Sequence, residues 1–350
     1  MLVNLQYLRA LAALMVVLFH ALDAPSRLGA AVDLPRFASG AVGVDLFFVI
    51  SGFIIWRTAR GAALSPARFA WRRAVRVVPL YWALTLFLAA TALLAPGAMG
   101  STRFDAAHLL ASLLFLPWPH PSFGTPNPVL FVGWTLNYEM AFYALFALVL
   151  PLAARWRLGA ALLVLAGLPL TGWWLEPEGI AARFYTQPVM LQFAIGLLLA
   201  AGLERVRRPR RVLGRVCLCA GLAALVGLGS VEGQELASGL AAALVVGGAV
   251  LADRGAAEPP RPLARGLGDA SYSIYLTHPF VLPLVQIGWS RFGLPVRGWA
   301  GIGYPLAALV ACALTGLVVH ALLERPLAGR PIPRFGSFRR CPPEGAAPIR

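Results

Sequence analysis

The chain has 350 residues, 59% of them hydrophobic and only 13% charged, with a mean hydropathy of +0.73. Soluble domains carry about 25% charged residues, so these values exclude an ordinary soluble globular protein and imply a polytopic membrane protein. The formal net charge is +15 and all 30 basic residues are arginine. Because they cluster in short loops between apolar runs, they read as the basic side of a membrane topology and not as a nucleic-acid surface.

A span needs about 20 mostly apolar residues. Ten segments qualify: 5–22, 40–57, 77–95, 133–152, 158–175, 187–203, 213–230, 236–252, 270–289 and 301–323. A shorter apolar piece, 106–117, precedes PWPHP and reads as a re-entrant or interfacial element. The fold class is therefore all-α, an integral membrane domain over 1–324 with about ten transmembrane helices. A flexible, cytoplasmic Arg/Pro-rich tail is expected over 325–350. With the N-terminus inside, 23 arginines fall in inside segments and 6 in outside ones, which puts both termini in the cytoplasm. Arg9 and His20 interrupt the first apolar run, so this segment reads as a retained helix and not as a cleaved signal. The four cysteines have no metal-site spacing and predict no disulfide framework.

The first helix sets the chemistry. Arg9 and His20 are eleven residues apart, nearly a whole number of turns at 3.6 residues each, so they share one face about 16 Å apart along the axis. Ionisable groups inside a span are costly and point to function. On the topology above, His20, Asp45 in the second span and Glu139 in the fourth share a depth near the outer face. A free imidazole titrates near pH ~6.5 and can take a proton from a hydroxyl, and a carboxylate on its other nitrogen would orient it. Glu139 is the first choice of partner and Asp45 the alternate. Such a group suits acyl transfer to an alcohol; the plainer alternative is a buried polar cluster that holds three helices together.

In ARFAWRRAVRVVPLYW, Arg73 and Arg76 are three apart and share a face at a cytoplasmic helix entrance, with Arg72 beside them. Guanidinium forks match phosphates, although anchoring to anionic lipid explains such residues equally well. In GDASYSIYLTHPF, the residues Ser273, Tyr275 and His278 are candidates to line a pocket, as are Ser51 and Tyr143; the alternative is interhelical hydrogen bonding. Pro279 removes a backbone donor and frees a carbonyl one turn earlier. Trp134, Trp173, Trp174, Trp289 and Trp299 read as interfacial belts and Gly247–Gly248 as close helix packing. His108, His120 and His320 show no partner in the sequence.

These segments resemble the membrane-bound acyltransferase family 3: the Arg9–His20 helix, GVDLFFVISGFII, RRAVRVVPLYW, WTLNYEMAFYALF and LGDASYSIYLTHPF, in that order from Leu5 to about Glu324. The resemblance implies a ten-helix core, acyl-CoA as a cytoplasmic co-substrate and a carbohydrate or glycan acceptor outside. It also implies no metal or organic cofactor, and the inner membrane of a bacterium. It makes His20 the catalytic residue, associates Arg9, Arg73 and Arg76 with the donor, and matches Glu139 to an acidic position. A multi-pass transporter or flippase of polar or lipid-linked substrates is the rival reading. It would also need ionisable groups at mid-membrane, but no inverted repeat is visible.

Overall fold

The computed structural model describes residues 3–27, 41–59, 65–95, 103–206, 210–228, 233–253, 261–295 and 299–329. The expected tail, apart from its first five residues, lies outside them, as do Arg207 and Arg208. The elements are α1 (Val3–Arg27), α2 (Gly43–Ala59), α3 (Pro66–Leu94), α4 (Ala106–Leu113), α5 (Trp134–Val149), α6 (Ala154–Leu175), α7 (Ile180–Tyr185), α8 (Met190–Leu203), α9 (Arg211–Leu228), α10 (Glu235–Leu251), α11 (Pro262–Asp269), α12 (Ser271–Arg291), α13 (Gly303–Val319) and α14 (Arg325–Ala328). A five-residue π-helical turn, His320–Glu324, joins the last two. Among the described residues there is no strand.

Each of the ten predicted segments coincides with a helix. Among the described residues six stretches are long and apolar enough to cross a membrane, including Val3–Asp23, Pro66–Leu94 and Gly303–Ala328. The others, such as the 17-residue α2 and the 16-residue α5, are shorter or carry polar residues inward. The piece at 106–117 forms only the eight-residue α4, about 12 Å long and too short to cross.

Helix α1 is the interior element, packed by α2, α10, α11, α12 and α13. By contrast α6, α9 and α13 expose most of their apolar side chains, among them Leu163, Leu170, Val216 and Val310. In water such a surface would be unstable; in lipid it is the solvated face. Small residues set the closest crossings. A Cβ on Gly52 of α2 would lie 2.3 Å from the carbonyl oxygen of Phe193 in α8, and one on Gly196 would lie 2.3 Å from that of Val49. Backbones approach this closely only where both helices lack side chains. Gly248 meets α9 in the same way, 2.5 Å from the Leu218 nitrogen. The Gly52–Gly196 crossing locks α2 against α8, which fixes Asp45 and Ser51 relative to the rest of the site.

Candidate active site

Two adjoining cavities meet on α1. The first, a narrow space of about 80 Å³, is lined by Arg9, Ser51, Arg73, Arg76, Glu139, Tyr143 and Tyr272 among others. Arg9 is buried and its Nη1 donates to Gln6 Oε1 at 3.0 Å; Gln6 Nε2 in turn donates to Asp269 Oδ1 at 2.8 Å. Helix α3 starts cleanly because Ser65 caps it, its Oγ accepting from the Arg68 N–H at 3.3 Å, with Pro66 following in the first turn. That start sets the helical phase that carries Arg73 and Arg76 into the cavity and leaves Arg72 exposed outside it. The Arg73 guanidinium lies 5.5 Å from the Phe69 ring centre and 5.7 Å from that of Tyr143, and donates to Thr58 Oγ1 at 3.3 Å. Its Nε is buried without a partner.

Glu139 is the carboxylate of this cavity. Ser51 Oγ donates to its Oε1 at 2.9 Å, and the Tyr143 hydroxyl donates to the same oxygen. Among the described residues no ion pair joins it to the arginines. Three guanidinium groups thus face one carboxylate already engaged by two hydroxyls. Glu324 stands near enough to Arg9 to act on it electrostatically, but its Oε2 accepts from Ser273 Oγ at 2.5 Å and from His320 Nδ1 at 2.8 Å. The cavity retains a positive excess, a setting that attracts a multiply charged anion.

The second cavity, about 400 Å³, is lined by His20, Asp45, Phe131, Trp134, Tyr138, Gln187, Gln234 and Glu235 among others. His20 Nδ1 bonds the carbonyl oxygen of Val16 at 2.9 Å. A carbonyl only accepts, so Nδ1 carries the hydrogen and Nε2 is the basic nitrogen. The His278 ring lies 4.9 Å from the His20 ring, centre to centre. Pro279 has no N–H, so the Tyr275 carbonyl has no helical donor four residues on; His278 Nδ1 takes it at 2.6 Å. The buried His278 Nε2 has no partner.

Val44 and Tyr275 line both cavities and so form the wall between them. The Tyr275 hydroxyl donates to the Val132 carbonyl at 3.0 Å and lies 3.0 Å from Thr135 Oγ1.

Several sequence expectations are corrected. Neither Glu139 nor Asp45 orients His20, whose Nδ1 is held by its own helix. Glu139 lies five residues into α5, about 7.5 Å along its axis, whereas Asp45 lies two residues into α2, about 3 Å. That offset places Glu139 in the arginine cavity. Asp45 does share His20's cavity, but it accepts from Gln192 Nε2 at 2.5 Å. Arg72 lines neither cavity. Ser273 and His278 are buried behind the lining, the first on Glu324 and the second against His20. Ser51, Tyr143 and Tyr275 line cavities, and Trp134, read as a belt residue, lines the second.

The remaining histidines have partners. His320 pairs with Glu324, and His108 packs against His120 with ring centres 5.1 Å apart. Burial, with a smaller contribution from His108, pushes the His120 pKa below the ordinary imidazole value. Sequence reasoning missed Gln6, Gln192 and Glu324. Gln6 sits three residues before Arg9 and Glu324 four after His320, spacings that place each pair on one helix face; the distant Gln192 leaves no such signal.

The family model described as an acyltransferase domain, acyltransferase family 3, matches residues 2–323. The exopolysaccharide production protein ExoZ of Rhizobium meliloti (strain 1021) is 36% identical over 319 residues, 90% of this chain and 95% of that protein. The putative membrane-bound transacylase BcsY of Komagataeibacter xylinus is 30% identical over 63% of this chain and 56% of its own. Nodulation protein 10 of Rhizobium leguminosarum bv. viciae is 26% identical over 82% of each. No solved structure matches.

Proposed function

The chain belongs to acyltransferase family 3, and from that premise we propose that it moves an acyl group from acyl-CoA to a hydroxyl of a glycan outside the cytoplasmic membrane of a bacterium. The observation that carries this reading is the pair of cavities: a cationic one and one with a basic imidazole, divided by the single wall of Val44 and Tyr275. In this reading Arg73 and Arg76 bind the phosphates of coenzyme A at the cytoplasmic mouth, since guanidinium forks match phosphate oxygens. The slender pantetheine arm, and not the nucleotide, suits a space of about 80 Å³. It runs along α1 past Arg9 and brings the thioester to the Tyr275 wall.

The acceptor hydroxyl enters the cavity of about 400 Å³. His20 Nε2 takes its proton as the oxygen attacks the thioester carbonyl. The C–S bond of the tetrahedral intermediate then breaks, and the departing thiolate takes the proton from the His20 imidazolium to leave as the thiol, which returns the ring to its neutral form. Val16 keeps the ring in the productive tautomer, the task a carboxylate performs in a hydrolase triad. The thioester is already activated, so the transfer calls on no metal or prosthetic group.

The glycan acceptor rests on ExoZ, whose name assigns it to exopolysaccharide production, and the bilayer location on the long apolar helices. Mass spectrometry of surface glycans and secreted metabolites from a deletion strain tests the reading. Loss of one acyl mass increment from a glycan, restored by the wild-type gene and not by a His20→Ala copy, is the expected result. An unchanged glycan with a lost acyl group on a small secreted metabolite would overturn the glycan assignment.

A further inference from the structure

We propose that the cleft between the end of α6 and the segment after α7 is a second saccharide subsite, holding the acceptor chain at sugars beyond the one that reacts. It rests on the glycan reading above and extends it to a site nothing there requires. The cleft measures about 350 Å³ and is lined by Trp173, Glu176, Arg183, Thr186 and Gln187 among others. Gln187 also lines the His20 cavity, so the two spaces are contiguous across one side chain.

The cleft is built, with anchored walls. Tyr138, a wall of the His20 cavity, stacks on Phe184 of α7 at 4.0 Å and 12° and donates to the Phe184 carbonyl at 2.8 Å. The Tyr185 hydroxyl donates to the Phe115 carbonyl at 3.1 Å. Helix α6 closes the floor: a Cβ on Gly172 would sit 2.5 Å from Thr186 Cβ. At the rim Glu176 holds a left-handed conformation, φ 40°, ψ 56°. A non-glycine residue there carries backbone strain, which persists where surrounding structure or function requires it.

The chemistry fits a neutral polyol. A pyranose has an apolar C–H face and a rim of hydroxyl pairs. Trp173 offers a broad aromatic face. The Arg183 Nε is tied to the Pro177 carbonyl at 2.8 Å, which fixes the guanidinium while its remaining N–H groups stay available. Glu176 supplies acceptors, and Gln187, whose Nε2 donates to the Arg183 carbonyl at 3.1 Å, keeps its amide oxygen. One acid and one base cancel, unlike the arginine cavity, so this cleft does not select an anion. A plain interfacial-belt role does not account for the arrangement: Trp174, at 82% exposure as open as Trp173 at 76%, lines none of the described cavities.

The test is equilibrium binding to the full chain in detergent, without acyl donor. The probes are de-O-acylated fragments of the producing bacterium's own exopolysaccharide, one repeat unit long, and the single sugars released from them. Trp173→Ala and Arg183→Gln should each weaken binding of the repeat-unit fragment about tenfold and leave single-sugar binding unchanged, while Trp173→Phe keeps fragment binding within a few-fold. Both side chains are exposed, so melting curves should stay at the wild-type value. Fragment binding equal in wild type and both variants overturns the subsite and leaves the glycan reading standing. Failure of the wild type to bind any fragment overturns both.

Discussion

Arg73→Ala should separate the donor side of the site from the acceptor side. Arg73 lines only the arginine cavity, so its loss bears on the donor alone. A hydrogen bond between charged partners contributes about 1.5–3 kcal/mol, which predicts a donor KM raised roughly 10- to 150-fold, since 1.36 kcal/mol is a factor of ten. The guanidinium is also held in place by two aromatic faces, at 5.5 Å from Phe69 and 5.7 Å from Tyr143. Each such contact contributes about 0.5–1 kcal/mol where solvent reaches it. Phe69→Leu removes one of them and should raise the donor KM by about two- to fivefold. Arg73→Lys keeps the charge and loses the fork, so it should fall between wild type and alanine. Steady-state kinetics of the purified protein with acetyl-CoA varied at fixed acceptor, and then the reverse, is the assay. Acceptor KM should not move. A donor KM unchanged in a normally melting Arg73→Ala protein would refute the reasoning, as would an equal rise in acceptor KM.

Because Glu139 bonds Ser51 and Tyr143 and not His20, the losses in kcat/KM for His20→Ala and Glu139→Gln should add in free energy within about 0.5 kcal/mol in the double variant. A double variant no worse than His20→Ala would restore Glu139 as its partner. Gly52→Val should lower the melting temperature markedly, because its Cβ would lie 2.3 Å from the Phe193 carbonyl and overpacking costs about 1–3 kcal/mol; unchanged melting would mean that the α2–α8 crossing tolerates separation. For orientation, an impermeant thiol reagent on intact cells should label Ser122→Cys and spare Arg208→Cys, and the opposite pattern would invert the topology.

The helices were legible because lipid demands long apolar runs, and the ten segments found that way each coincide with a helix. The Arg9–His20 stripe was legible because a single helix has a fixed period; Arg9 and His20 open onto adjoining cavities on the same helix. The shared depth of Asp45 and Glu139 fails at the start of the second span: a span beginning at 40 puts Asp45 five residues in, close to Glu139 in a span from 133, whereas α2 begins at Gly43 and α5 at Trp134, so Asp45 lies two residues in and Glu139 five. The freed Tyr275 carbonyl followed from Pro279, yet its capture by His278 depends on a rotamer the sequence does not state. Gln192 reaches Asp45 across 147 residues of chain, a pairing created by the Gly52–Gly196 crossing and invisible without it. His320 and Glu324, four apart and so on one helix face, form a pair that the spacing alone makes readable.

The most direct test of the account is single-turnover and steady-state measurement on purified His20→Ala across a pH range, with a melting curve and donor binding measured beside it. General-base catalysis is typically worth about 10²–10⁴-fold, so kcat should fall by that order while acetyl-CoA binding and melting stay at wild-type values. The wild type should lose activity toward acid, where the imidazole is protonated and accepts no proton, and the residual activity of the variant should lack that limb. Near-wild-type turnover of a folded His20→Ala protein, or an acid limb that survives the substitution, would contradict the assignment of His20 as the base.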